Sequence, residues 1–140
     1  MAVDKSRRAL RVAKRNIKTL GLGDKIQTIR TSFDKQYDFG AQFDVIVSNP
    51  PYIPSAEIKE LQKEVLSEPI SALDGGNDGL DFYRCLAEKW SGKVKENGFM
   101  AFECGDNQSS DIIDIFNGNF KENSVIFDFN NIDRIVTFRI

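Results

Sequence analysis

The chain has 140 residues, of which 41% are hydrophobic, and a formal charge of -2 at pH 7. This length suffices for one domain with a buried core, and the small net charge gives no general reason to expect a nucleic-acid partner. The sequence has no histidine and only two cysteines, which excludes Cys–His and Ser–His nucleophiles and leaves no metal-ligand spacing. Without a long apolar segment or a signal peptide, we expect a cytoplasmic protein that has no metal and no membrane contact.

The hydrophobic pattern alternates between strands and helices. In chain order it predicts a strand end at 1–4, a helix at 5–20, strands at 26–31 and 43–48, helices at 56–66 and 80–95, a strand at 98–104, a helix at 110–120, and strands at 125–129 and 135–140. A turn between the last two strands predicts an antiparallel hairpin. This order indicates an α/β fold with an open, mostly parallel sheet, helices on both faces, and one domain over residues 1–140.

Charge is distributed unevenly along the chain. Residues 5–18 contain seven Lys or Arg and no acid, so the remainder carries 12 basic and 21 acidic residues. A basic run of this kind is usually a solvated helix face. The alternative interpretation is a surface that contacts phosphate or RNA.

The most informative stretch follows the strand predicted at 43–48. Its apolar, β-branched run is typical of a buried parallel strand, which must end at Asn49 because two prolines cannot continue a ladder. Pro50 and Pro51 have fixed φ angles and no N–H, so the strand leads into a stiff turn. That turn displays the Asn49 amide, the Pro50 carbonyl and the Tyr52 ring where parallel strands end, which is where sites form in open α/β sheets.

These groups suit transfer to an amino nitrogen. An amino group conjugated to a carbonyl or a heterocycle is planar and a poor nucleophile. The Asn49 side-chain oxygen and the Pro50 carbonyl can accept its two N–H bonds, which holds the nitrogen in place and leaves it richer in electrons during attack. Tyr52 offers a flat face to the planar group. No general base is needed before attack if the electrophile is as strong as a methyl sulfonium.

The tetrapeptide from Asn49 to Tyr52 is similar to the signature of S-adenosylmethionine enzymes that methylate adenine, cytosine amino groups or glutamine amides. Its flanks narrow the choice. In order they are Val47 to Pro54, Glu68-Pro69, Ala72-Leu73, Gly75 to Leu80, Tyr83-Arg84, Phe102 to Gly105 and Asp133-Arg134. This series resembles the HemK/PrmC family of release factor glutamine N5-methyltransferases, over nearly the whole chain.

The resemblance implies a Rossmann-like methyltransferase fold, S-adenosylmethionine as cofactor, and a glutamine side-chain amide of a peptide chain release factor as acceptor. The implied catalytic and substrate-binding residues are Asn49, Pro50, Pro51 and Tyr52. Asp4 would take the ribose hydroxyls, with Ser32, Phe33 and Asn49 also at the cofactor, and Glu68 would lie beside the substrate. From the residues alone, Asp4 could instead cap the helix that begins at Lys5, and Glu68 could be a surface acid.

The resemblance also implies that the fold is truncated at its N-terminus. Such enzymes place a central strand and a Gly-rich cofactor turn before the residue that Asp4 matches, and only three residues precede Asp4 here. The open sheet edges would then favour self-association. Two alternatives stay open: an adenine-N6 methyltransferase of nucleic acid, which the acidic balance disfavours, and an inactive fragment that has lost cofactor binding and serves as a structural or binding piece.

Overall fold

The computed structural model describes residues 1–35, 37–62 and 65–140, with Leu66 described by its backbone. The chain divides into two compact units, Met1–Asp38 and Phe39–Ile140. Each unit has its own sheet.

The first unit contains β1 (Ala2–Asp4), α1 (Arg7–Thr19) and β2 (Thr28–Arg30), with β1 and β2 paired in parallel. Ser6 is the N-cap of α1, and its Oγ accepts a hydrogen bond from the Ala9 backbone N–H at 3.2 Å. A serine in this position satisfies one of the N–H groups that the first turn leaves unpaired. The helix therefore starts two residues later than predicted, and the N-cap is not Asp4.

The second unit is built on four strands in the order β3-β4-β6-β5: β3 (Phe43–Ser48), β4 (Val94–Glu103), β5 (Glu122–Phe127) and β6 (Asp133–Arg139). β3 and β4 are parallel, and the other two pairs are antiparallel. The predicted C-terminal hairpin is confirmed as β5–β6. Among the described strands, β3 is paired along one edge only, which leaves its other edge open.

Two helices, α2 (Asp81–Trp90) and α3 (Ser109–Phe116), pack on one face of this sheet. The largest fully buried side chains come from these helices, from β4 and β6, and from the residue after β4: Tyr83, Met100, Phe102, Cys104, Ile112, Phe116, Val136 and Phe138. Phe116 stacks on Phe138 with ring centroids 4.4 Å apart. Because side chains alternate along a strand, the opposite face carries Val45 and Val47, which are 44% and 71% exposed.

The helix predicted at 56–66 is wrong. The described part of that segment forms short 3-10 turns at Ile58–Glu60 and Val65–Ser67, while residues 63 and 64 lie outside the described residues. The turns use bonds to the third residue back, such as Glu60 N–H to the Glu57 carbonyl at 2.9 Å. The apolar residues that predicted a helix do not form a continuous helical face. Ile58 is instead buried from a 3-10 turn.

Two other helices are shorter than predicted. α2 stops at Trp90, and β4 begins at Val94 instead of residue 98, because Val94 pairs with Phe43 at the start of the parallel ladder. α3 stops at Phe116, just before Gly118 takes a φ of +84°. Pairing to a distant strand and a left-handed glycine therefore override the local helical pattern.

Candidate functional site

The predicted diproline turn stands at the carboxyl end of β3, beside the parallel strand β4. Asn49 is exposed, whereas Pro50 is buried and Tyr52 is half-buried. In the part of the chain that the structure describes, neither the Asn49 side chain nor the Pro50 carbonyl has a hydrogen-bond partner. The turn, whose backbone the prolines stiffen, therefore carries two acceptor groups that the described residues do not use, an exposed one on Asn49 and one on the buried residue Pro50.

The chain after the prolines is anchored to a second loop. The Ile53 N–H donates to the Leu73 carbonyl at 3.0 Å, and the Gly75 N–H donates back to the Ile53 carbonyl at 2.9 Å. A third bond joins the Ser55 N–H to the Gly76 carbonyl at 2.8 Å. The Gly-rich stretch that begins at Gly75 therefore holds the chain after the prolines in place through backbone hydrogen bonds.

Asp74 adds side-chain hydrogen bonds to these backbone bonds. Its Oδ1 accepts from the Ser55 hydroxyl at 2.6 Å and from the Gly76 N–H at 3.0 Å. These two bonds, the first above all, hold the pKa of the Asp74 carboxyl below its usual range. The ionised carboxylate thus ties both loops together.

A further ion pair follows in the same stretch. Arg84 donates to both carboxyl oxygens of Asp78, at 3.0 and 2.5 Å. This guanidinium lowers the pKa of Asp78 to about 2. Arg84 also pairs with Asp81 at 3.2 Å. Because Arg84 and Asp81 both lie on α2, it is the pair with Asp78 that fixes the loop to the start of this helix.

Tyr52 turns its hydroxyl toward the end of β4. The hydroxyl oxygen lies 3.4 Å from Oε1 of Glu103, at the long limit of a hydrogen bond. Burial raises the pKa of Tyr52, and the nearby charge of Glu103 raises it further. The Tyr83 hydroxyl donates to the Glu103 backbone carbonyl at 2.6 Å, which ties the end of β4 to α2. Tyr52 is therefore a neutral, positioned ring at neutral pH.

Gln108 is a residue that sequence reasoning missed. Its Nε2 donates to the Tyr52 carbonyl at 3.0 Å, and its Oε1 accepts from the Gly105 N–H at 3.0 Å. Gly79 makes room for this arrangement: a Cβ there would lie 2.6 Å from Gln108 Nε2 and closer still to the Tyr52 carbonyl. The sequence contains one signal for this contact: Gln108 lies three residues after Gly105, at the end of a predicted strand. At this spacing an amide side chain can accept a hydrogen bond from the glycine N–H.

An open cavity of about 320 Å³ adjoins the turn on the face away from α2 and α3. Its lining residues are Val47, Ser48, Asn49, Ala101, Glu103 and Ile135. The exposed walls are mainly apolar, and the polar lining residues are Ser48, Asn49 and Glu103. A flat polar molecule can therefore reach Asn49 from this side.

Three of the predicted cofactor residues belong to the first unit. Asp4 ends β1, and one of its oxygens accepts from the Ser6 N–H at 2.6 Å. Within the described residues its other oxygen has no partner. Asp4, the last residue of β1, pairs in register with Arg30, the last residue of β2. Ser32 and Phe33 come just after β2, so they follow the same end of this two-stranded sheet. The structure thus brings these three predicted residues to one edge.

The remaining predicted site residues lie in the second unit. Asn49, Pro50, Pro51 and Tyr52 are consecutive. Glu68 directly follows the 3-10 turn Val65–Ser67 and is exposed, and among the described residues its side chain makes no hydrogen bond or ion pair with those four. No group of three or more His, Cys, Asp or Glu within the described ranges is arranged to hold a metal ion. No helix described here combines the length and the hydrophobicity that a membrane span needs.

Parallel pairing in β1–β2 and β3–β4, the C-terminal hairpin and the polar turn after β3 define the Rossmann-like fold of S-adenosylmethionine-dependent methyltransferases. A methyltransferase from Pyrococcus furiosus superposes with a TM-score of 0.69 at 19% identity, over 99% of this chain and 60% of that one. The N-methyltransferase NodS from Bradyrhizobium japonicum, in complex with S-adenosyl-L-homocysteine, gives a TM-score of 0.58 at 14% identity, over 98% and 64%. The predicted fold class is confirmed.

Sequence relatives define the family. The family model described as Eco57I restriction-modification methylase matches residues 2–138, and the chain belongs to this methylase family. The release factor glutamine methyltransferase of Moorella thermoacetica is 38% identical over 135 residues, which cover 95% of this chain and 47% of that protein. The resemblance to the HemK/PrmC enzymes is confirmed, and the chain spans about half the length of the curated relatives it matches.

Proposed function

We propose that the chain is a catalytic portion of an S-adenosylmethionine-dependent methyltransferase whose acceptor is a glutamine side-chain amide of a peptide chain release factor. The observation that carries this proposal is the turn after β3. There the exposed Asn49 amide lines an open cavity, and the carbonyl of the next residue, Pro50, has no hydrogen-bond partner among the described residues. The names of the curated relatives supply the acceptor.

In this proposal the turn orients a planar NH₂ group. The Asn49 oxygen and the Pro50 carbonyl accept its two N–H bonds and keep its lone pair directed out of the amide plane. Pro51 stiffens the turn, so these acceptors need little reorganisation as charge develops on the nitrogen. Tyr52 packs against the acceptor, and Gln108 fixes the Tyr52 backbone.

The residues of the first unit fit part of the cofactor. The partner-free oxygen of Asp4 can accept from a ribose hydroxyl, and Ser32 and Phe33 at the same edge can line an adenine ring. We assign Asn49, in the second unit, to cofactor binding as well as to the acceptor. S-adenosylmethionine, when bound, supplies the methyl group as an electrophilic sulfonium. Glu68 is exposed, is not among the lining residues of the cavity, and makes no hydrogen bond or ion pair with the described turn residues, so we assign it to the protein substrate outside the cavity.

Three further proposals belong with this one. The two units together form one partial methyltransferase domain. The open edge of β3, with its exposed valines, supports self-association of the chain. We also propose that the protein is cytoplasmic, because the proposed acceptor works in translation.

Methyl transfer is tested with the chain, S-adenosylmethionine and a purified release factor, and mass spectrometry locates the modified residue. We expect one added methyl group on a glutamine amide and none on an adenine-containing DNA duplex offered in parallel. Methylation of the duplex alone would favour the adenine alternative, because adenine's amino group presents the same two N–H bonds. Isothermal titration with S-adenosylmethionine addresses the inactive alternative: a Kd weaker than about 1 mM, with no transfer to either acceptor, supports it.

A further inference from the structure

The two units of the chain carry opposite charge. Met1–Asp38 contains ten Lys or Arg and four Asp, whereas the remaining residues contain nine basic and 17 acidic side chains. Most of the positive charge in the first unit lies on α1. Six cations there, which we name the basic stripe, are exposed: Arg7, Arg8, Arg11, Lys14, Arg15 and Lys18.

The helical repeat gathers these six cations on one side of α1. At roughly 100° per residue they fall within a band roughly 120° wide, and they span about 16 Å along the axis. The other side of the helix buries Leu10 and half-buries Ala13 and Ile17. The apolar side is thus used in packing, and the basic stripe is a continuous cationic surface.

This arrangement is unfavourable for an isolated helix. Arg11 is four residues from both Arg7 and Arg15, and like charges at this spacing repel. The first turn contains no acid, so the positive end of the helix dipole faces Arg7 and Arg8. Within the described residues, none of the six cations has an ion-pair partner. A face that served only solubility would gain from interspersed glutamates, so an external polyanion is the missing counter-charge.

We propose that the basic stripe binds the phosphate backbone of nucleic acid without reading its bases. Four of the six cations are arginines, whose planar fork matches phosphate oxygens in pairs. A duplex carries one phosphate charge per about 1.7 Å of its axis with both strands counted, so a length equal to that of the stripe holds about ten phosphates, of which those on the near side can meet the six cations. The stripe has no aromatic side chain on which a base could stack, so the contact is electrostatic and indifferent to sequence.

The acidic total charge argues against nucleic acid as the methyl acceptor, but it does not bear on a local docking surface of this kind. The inference rests on α1 alone and is independent of the proposed methyl transfer. The apolar side of α1 packs within its own unit, so the helix has no apolar face to insert into a lipid surface.

Fluorescence anisotropy of labelled 20-base-pair RNA and DNA duplexes, titrated with the whole chain over a series of salt concentrations, tests this inference. We expect the triple variant Arg8→Gln, Arg11→Gln and Arg15→Gln to bind at least tenfold more weakly at low salt. Its slope of log K against log salt should be shallower by about 2 to 3, as three lost phosphate contacts require. Glutamine keeps helix propensity, and circular dichroism checks the fold.

The matched control removes the same charge elsewhere, with Lys25→Gln, Lys59→Gln and Lys121→Gln, and should leave affinity and slope nearly unchanged. Tighter binding to RNA would identify RNA as the source of the phosphates, and equal binding would identify the backbone of either nucleic acid. Equal losses in the two triple variants would overturn the assignment to the stripe. Absence of binding at low salt, or tighter binding to polyglutamate than to either duplex, would overturn the nucleic-acid ligand.

Discussion

The side chain of Gln108 donates to the backbone carbonyl of Tyr52 at 3.0 Å, across 56 positions of the chain. The same side chain accepts from the Gly105 N–H, so one amide joins the diproline turn to the loop that follows β4. Since both bonds use an amide in one orientation, no charged or apolar side chain can replace it. This bond makes the geometry of the turn depend on a residue outside the recognisable motif.

Changing Gln108→Glu should lower the free energy of unfolding by about 1 to 3 kcal/mol, because a carboxylate would face the Tyr52 carbonyl without a donor. Glutamate keeps an oxygen that can accept from the Gly105 N–H, and an acid at the start of α3 interacts favourably with the helix dipole. Any loss of stability therefore reports the missing N–H donor to the Tyr52 carbonyl. Urea denaturation measures the change. Gln62→Glu, at an exposed glutamine whose side chain has no bond within the described ranges, should stay within about 0.5 kcal/mol. Equal losses would contradict the role of Gln108.

Gly79→Ala should destabilise the chain more than Gly118→Ala. Both glycines have positive φ, +78° and +84°, so both substitutions share a backbone strain of about 1 to 2 kcal/mol. A Cβ at Gly118 would meet nothing within 4 Å, whereas one at Gly79 would press on the Tyr52 carbonyl and Gln108. We expect an extra loss of about 1 to 3 kcal/mol at Gly79 from this overpacking. Matching urea midpoints for the two variants would argue against the close approach.

The elements that local chemistry dictates were predictable, and those that depend on distant partners were not. Two consecutive prolines must end a strand, so β3 and its turn follow directly from sequence, as does the C-terminal hairpin from its turn residues. The early start of β4 depends on Val94 pairing with Phe43, and the position of Gln108 depends on Tyr52. No local pattern encodes either contact, because each is decided by how the sheet and loops assemble.

Ser55→Ala should raise the pKa of Asp74 toward its ordinary value of 3.8, because the Ser55 hydroxyl gives the largest lowering effect. Since the folded pKa lies below the unfolded one, the ionised carboxyl stabilises the fold above about pH 4, and this contribution disappears as pH falls through the folded pKa. The stability difference between the two proteins should therefore be largest near neutrality and shrink in acid. Carbon-detected NMR of the carboxyl groups reads the pKa directly.

The same NMR titration contains its own reference. The pKa of Asp128 is lowered mainly by the Ile132 N–H, far from Ser55 in sequence, and should not move in the variant. A shift of both carboxyl groups would indicate a general change of structure. An unmoved Asp74 would show that the Ser55 hydroxyl does not bond it in solution.

Val45→Lys with Val47→Lys should reduce self-association of the chain. These exposed residues belong to β3, which has one unpaired edge among the described strands, and charged side chains on such a strand discourage pairing with another strand. Sedimentation velocity over a range of protein concentrations measures the change. Ile70→Lys is the matched control, since Ile70 is 61% exposed and lies outside the strands. A parent chain that stays monomeric at every concentration, or an equal effect of the control, would rule out association through this edge.

Asn49→Ala should lower methyl transfer to a glutamine amide by about 10²- to 10³-fold, the usual effect of removing one preorganised polar contact. Stability should change little, because the Asn49 side chain is exposed and bonds to none of the described residues. Asn77→Ala is the matched control: this asparagine is also exposed and without such a bond, and it lies outside the turn. Its activity should match that of the parent.

A binding readout keeps the role of Asn49 testable without turnover. Titrating a glutamine-containing peptide into the labelled chain should shift the NMR signals of the Asn49 side-chain amide and of neighbouring Ser48 in the parent. The Asn49→Ala variant should lose affinity for the peptide, while Asn77→Ala should keep it. Unchanged turnover together with unchanged peptide affinity in Asn49→Ala would remove Asn49 from the mechanism, since its oxygen would then hold neither the ground state nor the reacting nitrogen.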